Sequence, residues 1–138
     1  MFRTILLTIA LSLSMNANSA DLAAFQDFGE TPGLVKVVDD LMVNLLANEK
    51  TRPFFEKVDH TAVKQKLVEQ FCAQLEGPCI YTGQTMKRAH KGHEIDAAQF
   101  NALVEALQDS MNKNKIPQRA QNKLLAKLAS MHKDIINK

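Results

Sequence analysis

The chain has 138 residues, 46% hydrophobic and 23% charged, and its 17 basic and 15 acidic side chains leave a formal charge of +2. So small an excess excludes the basic footprint that nucleic acid or an anionic lipid surface requires, and neither is an expected partner. Two cysteines alone make no zinc site, and the absence of a nucleophile elbow or phosphate-cradling glycine loop leaves hydrolase and nucleotide chemistry without support.

Residues 1–20 read as a secretory signal peptide. Arg3 lies near the start, an apolar core runs from Ile5 to Leu13, and the small residues Ala17, Ser19 and Ala20 precede Asp21. That core is too short to span a bilayer, and no later stretch stays uncharged for about 18 residues. Cleavage near Ser19 or Ala20 is therefore expected to release an exported, periplasmic protein with no stable membrane anchor. Taking 20 from 138 leaves 118 residues, 21–138, which suit one domain with a single core.

Helical periodicity dominates this remainder. Thr31 and Pro32 look like a cap and a first helical residue, after which Leu34, Val37, Val38, Leu41, Met42, Leu45 and Leu46 recur at steps of three and four. Arg52-Pro53-Phe54-Phe55 interrupts the pattern, which restarts near Asp59 with Val63, Leu67, Val68, Phe71, Cys72 and Leu75 and stops at Gly77-Pro78. An irregular stretch from Cys79 to Gly83 leads to a short helix ending near His90, with Gly92 as a stop. Asp96 and Gln99 have the spacing of a capping box ahead of Phe100, Leu103, Val104, Leu107 and Met111. Pro117 opens a last helix, expected to run through Leu124, Leu128, Met131 and Ile135 to the C-terminus.

Leu75, Gly77 and Pro78 could turn Cys79 back onto Cys72, and export would let a disulfide persist there; closing so short a loop is worth about 2.5 kcal/mol. Two separate packed thiols fit equally well, because a helix-to-turn geometry need not bring the Cα atoms within range.

One histidine stands out. His90 ends the segment Gln84-Thr85-Met86-Lys87-Arg88-Ala89-His90, with Met86 one turn before it, and by itself it reads as either structural or metal-ligating. The order of the pieces says more. A helix followed by a Phe-Phe pair, a second helix ending in Gly-Pro, then Tyr81-x-Gly83-x-x-Met86-x-x-x-His90 and Phe100, and finally Ile116-Pro117, resembles the group I truncated haemoglobins from Phe28 to about Ile135.

That resemblance implies an all-α truncated globin, a two-over-two helical sandwich around one haem b, with His90 as proximal iron ligand. Phe55, Met86, Phe100 and Leu103 would wall the macrocycle. Met42 matches the position where the family usually carries a ligand-stabilising tyrosine, and Val63 and Leu67 match positions that often carry glutamine. A distal side so lined offers bound gas no side-chain donor, so tight oxygen storage is not implied. Lys66 matches a position where some members place a distal ligand; it would bind iron or pair with a haem propionate. Met42 could offer a thioether, His60 would lie at the rim, and His93, Lys87 or Arg88 would lie near the propionates. His132 resembles, one residue out of register, a histidine that some members join covalently to a haem vinyl group. The family's glycine pairs here read Gly29-Glu30 and Glu76-Gly77.

The function so implied is reversible binding of a diatomic gas: oxygen, nitric oxide or carbon monoxide. An alternative is redox work at a haem with an internal sixth ligand, served by a reductase or other electron donor, with nitric-oxide dioxygenase-like or peroxidase-like activity left open. A second alternative is a haem-free helical interaction module.

Overall fold

The computed structural model describes residues 19–138, so nearly all of the expected leader lies outside the described residues. Eight helices follow in order: α1 (Ser19–Asp27), α2 (Glu30–Ala47), α3 (Arg52–Phe55), α4 (His60–Gln74), α5 (Met86–Ala89), α6 (Ala97–Lys113), α7 (Gln118–Ser130) and α8 (His132–Ile135). There is no strand among the described residues, and no helix there is long and apolar enough to cross a membrane.

The four long helices close a ring in which α2 packs on α4 and α6, and α7 packs on the same two. This is the two-over-two arrangement. Its core is the predicted stripe of α2, with Leu34, Val37, Val38, Leu41 and Leu45 at 1% exposure or less, set against Phe71 of α4 and Leu75 at its C-terminal cap, Leu107 and Met111 of α6 and Leu124 of α7. Steps of three and four bring these side chains onto one face, and their burial supplies most of the driving force for folding. One polar link crosses the core: Asn44 Nδ2 donates to Ser110 Oγ at 3.1 Å and to the Ala106 carbonyl at 3.2 Å, tying α2 to α6.

Several ends differ from the sequence reading. Thr31 is not the cap of α2; Gly29 is, at φ 79°, and Glu30 follows at φ 58°. Beyond this left-handed corner Gly33 sits so close to Phe28 that a Cβ there would lie 1.7 Å from the Phe28 carbonyl oxygen, so only glycine fits. Helix α1 was not foreseen at all. It packs on α7 and buries Phe25, and Phe28 just after it is buried as well. The last helix does not run straight to the terminus but breaks at Met131, so that α8 packs on α5.

The C-termini of α4 and α6 share one solution. Gly77 N donates to the Cys72 carbonyl and Glu76 N to that of Ala73; Ile116 N and Lys115 N donate likewise to Met111 and Asn112. Such paired bonds place the intervening residue in the left-handed region, normally glycine's place, and here Glu76 (φ 61°) and Lys115 (φ 56°) occupy it. The capping box of α6 forms as read: Asp96 Oδ1 accepts from Gln99 N at 2.8 Å and Gln99 Oε1 from Asp96 N at 3.0 Å.

Candidate functional site

A cavity of about 650 Å³ opens between α4, α6 and the segment that carries α5. That is a size suited to a cofactor or other organic molecule. From α2 it receives Leu41 and Leu45, from α3 Phe54 and Phe55, from α4 Val63, Lys66, Leu67, Gln70 and Phe71, from α5 and its cap Met86 and His90, and from α6 Phe100, Leu103 and Val104. Bonds to the last carbonyls of α2 set the direction of α3: Thr51 Oγ1 donates to the Leu45 carbonyl at 2.7 Å and Arg52 Nε to that of Leu46 at 2.8 Å. The Phe-Phe pair is thereby folded under the end of α2 and onto the cavity.

His90 is the cap of α5, and its Nδ1 lies 2.7 Å from the Met86 carbonyl oxygen. A carbonyl only accepts, so Nδ1 carries the proton and donates. In the neutral ring Nε2 then keeps its lone pair, the form in which an imidazole binds a metal. Thr85 fixes the start of the same turn, its Oγ1 accepting from Arg88 N at 3.3 Å. Asn137 Nδ2 donates to the His90 carbonyl at 3.0 Å and holds the turn from the C-terminal side.

Of the sequence-derived site residues, Phe55, Val63, Lys66, Leu67, Met86, His90 and Phe100 all border this one cavity. Met42 does not. It is buried at 4% exposure, but the wall from α2 is made by Leu41 and Leu45, one residue earlier and three later. One residue is a turn of about 100°, which takes Met42 off that wall. Neither a thioether ligand nor a distal wall at Met42 is what the structure places there.

Lys66 stands at the rim with its side chain 44% exposed; its Nζ lies 3.3 Å from Glu69 Oε2 and hydrogen-bonds Thr82 Oγ1. Glu69 also accepts from Thr82 N at 3.1 Å and Thr82 Oγ1 at 2.7 Å. These bonds from Thr82, and then Lys66, hold the Glu69 carboxyl below its ordinary range. The ammonium of Lys66 is thus engaged by a carboxylate of its own helix. Tyr81 beside it donates to the Gln84 carbonyl at 2.7 Å, and burial and the nearby Glu69 charge push its phenol up, so it stays a donor.

The remaining histidines keep to the margin. His60 Nε2 donates to the Phe55 carbonyl at 2.7 Å, His93 is an exposed lining residue packed edge-on to Phe54, and exposed His132 stands edge-on to Phe100 with ring centres 4.8 Å apart. The sequence reading missed Gln70, buried at 8% in a mostly apolar wall, whose Nε2 donates only to the Met86 thioether at 3.1 Å. An amide inside an amphipathic stripe reads as a flank of the helix, and only the packing shows it turned inward.

The sequence profile of the bacterial-like globin family matches residues 23–137. A group 1 truncated haemoglobin of Mycolicibacterium paratuberculosis is 32% identical over 117 residues, 84% of this chain and 86% of that protein. One from a Nostoc species is 25% identical, covering 83% and 97% of the two chains. Among solved structures, the Fe(III) form of truncated haemoglobin from Tetrahymena pyriformis superposes with a TM-score of 0.79 at 23% identity, over 83% of this chain and 98% of that one. The 2/2 haemoglobin of a Synechococcus, solved with covalently attached haem, gives a TM-score of 0.76 at 19% identity over the same shares. With an all-helical two-over-two fold, a matching profile over nearly all of the described chain and a relative above 30% identity, the chain belongs to the bacterial-like globins, as a group 1 truncated haemoglobin.

Proposed function

We propose that this chain binds one haem b through His90 and uses it to bind a diatomic gas reversibly. The observation that carries the reading is the Nδ1–H bond from His90 to Met86, which leaves the opposite nitrogen as a lone-pair donor at the wall of an apolar cavity. The lining fits a flat macrocycle: aromatic Phe55 and Phe100 and aliphatic Leu41, Val63, Leu67 and Leu103 bury apolar surface, while Lys66 and His93 at the rim suit carboxylates that reach solvent. When bound, haem supplies an iron with an exchangeable sixth position. The protein's part is to orient His90 through Met86 and Asn137, to exclude water with the α4 and α6 side chains, and to keep Lys66 with Glu69 at the margin.

The engagement of Lys66 by Glu69 favours gas binding at an open site over redox work with an internal sixth ligand. Haem is proposed to be held without a covalent bond, since His132 packs edge-on to Phe100 and lies outside the lining. Release of intact haem into acid–butanone is the expected outcome, and haem that stays with the chain contradicts it. Action on the far side of the membrane, after loss of the leader, is part of the same proposal; the Cys72–Cys79 bond suits an oxidising compartment.

The test of function is titration of apoprotein with haem, followed by carbon monoxide and oxygen difference spectra of the ferrous form. Saturation at one haem per chain with reversible ligand spectra is expected. No uptake, or a ferrous form that binds neither gas, would overturn the reading and put the interaction-module alternative first.

A further inference from the structure

Between Cys79 and α5 the chain has little backbone bonding of its own. Cys79 N donates to the Gly77 carbonyl at 2.8 Å, and the next backbone bond along the stretch is Ala89 N to Thr85. The segment is instead hung on α4. Cys72 is bonded to Cys79, Glu69 accepts twice from Thr82, and Gln70 reaches Met86. Residues 69 and 72 lie three apart and so share a face of the helix.

These ties are unequal. Thr82 is exposed, so water competes for the Glu69 bonds, and a thioether is a weak acceptor for Gln70. The disulfide is the covalent tie, and it stands where the segment leaves α4, 11 residues before His90 (90 less 79). On the other side the turn is held by Asn137 and by packing of α5 on α8.

We propose that the Cys72–Cys79 bond is a positioning strut for His90, and that its reduction by a dithiol loosens residues 79–90 and speeds loss of haem. The proposal rests on the haem reading above. Cys72 is fully buried and Cys79 half-buried, so a donor thiolate attacks Cys79 Sγ. A bond forms between the donor sulfur and Cys79 Sγ as the Cys72–Cys79 bond breaks, and Cys72 leaves as a thiolate that takes up a proton. The donor's second thiolate then displaces Cys79, which is protonated in turn. The donor ends as a disulfide, having given two electrons, and the protein ends with two thiols.

The experiment compares haem-loaded wild type with Cys79→Ser, which keeps the Cys72 side chain in the core. Three readouts are taken: ferric haem transfer to excess apomyoglobin, the iron–histidine vibration of the ferrous form, and amide exchange along the chain. Wild type reduced in place by a phosphine repeats the comparison without a substitution, so a variant that fails to fold still leaves a decisive arm. Expected are haem transfer about fivefold faster, a shifted or broadened iron–histidine band, and faster exchange over residues 80–91 with α2 and α6 unchanged. Equal transfer rates overturn the proposal, as does exchange that rises evenly in all helices, the mark of a merely structural bond. A wild-type chain that takes up no haem sinks the functional reading and this proposal together; normal uptake with equal rates sinks this proposal alone.

Discussion

Replacing Lys115 by glycine should stabilise the protein. Lys115 sits at φ 56° after α6, where its N–H and that of Ile116 close the end of the helix. An L-residue in the left-handed region costs about 1–2 kcal/mol, which glycine avoids. Glycine's freer unfolded chain takes back about 0.4–1 kcal/mol, so the net gain is about 0.5–1 kcal/mol. The lysine side chain is exposed and no hydrogen bond or ion pair of it is seen, so nothing else is lost. For a domain of this size such a gain raises Tm by about 2–5 °C. The same change at Glu76, φ 61°, should gain less, because it removes the 2.8 Å pair with Lys123. Thermal unfolding followed by circular dichroism tests both. A Lys115→Gly protein that melts at or below the wild-type temperature would refute the argument, and so would a larger gain at position 76 than at 115.

Three further outcomes follow from particular contacts. Asp96→Ala removes one half of the capping box and should cost about 1–2 kcal/mol in urea unfolding; a loss under about 0.3 kcal/mol would show the box to be idle. Gln70→Leu replaces a buried amide, bonded only to a thioether, by an apolar side chain of similar size, and should leave stability unchanged or raise it by about 1 kcal/mol; a clear loss would mean that the amide has a stronger partner than Met86. The Asp40 carboxyl is held below the ordinary value of 3.8 by hydrogen bonds from Lys113 and Asn114. A lowered folded pKa means stability that is full above the ordinary value and lost as pH falls through the folded one. The deficit of Asp40→Asn against wild type should therefore be constant near neutrality and shrink below about pH 4; a deficit independent of pH down to 2 would contradict the assignment.

The long helices were legible because burial forces apolar residues to the helical step, and Leu34 to Leu45 or Phe100 to Met111 can be read straight off. His90 was legible as a candidate because it closes a short helical segment, with Met86 one turn before it and Gly92 as a stop after it. What escaped was whatever depends on one residue of rotation or on tertiary packing. Met42 and Leu41 are adjacent in one apolar stripe, and only the packing of α2 on α4 and α6 decides which borders the cavity. Helix α1 has only a weak apolar stripe, and the break at Met131 carries neither glycine nor proline. Whether Cys72 and Cys79 pair was open because Cα separation cannot be read from spacing; it is 5.9 Å, within bonding range.

The central claim is that His90 holds iron. The most direct measurement is the ferric and ferrous absorption spectrum of haem-loaded wild type beside His90→Gly, with and without added imidazole. Wild type should show a sharp Soret band and one haem per chain, the variant should lose or strongly alter that spectrum, and imidazole in the vacated place should restore it. A variant that binds haem with an unchanged spectrum, while the wild-type fold is intact, would contradict it.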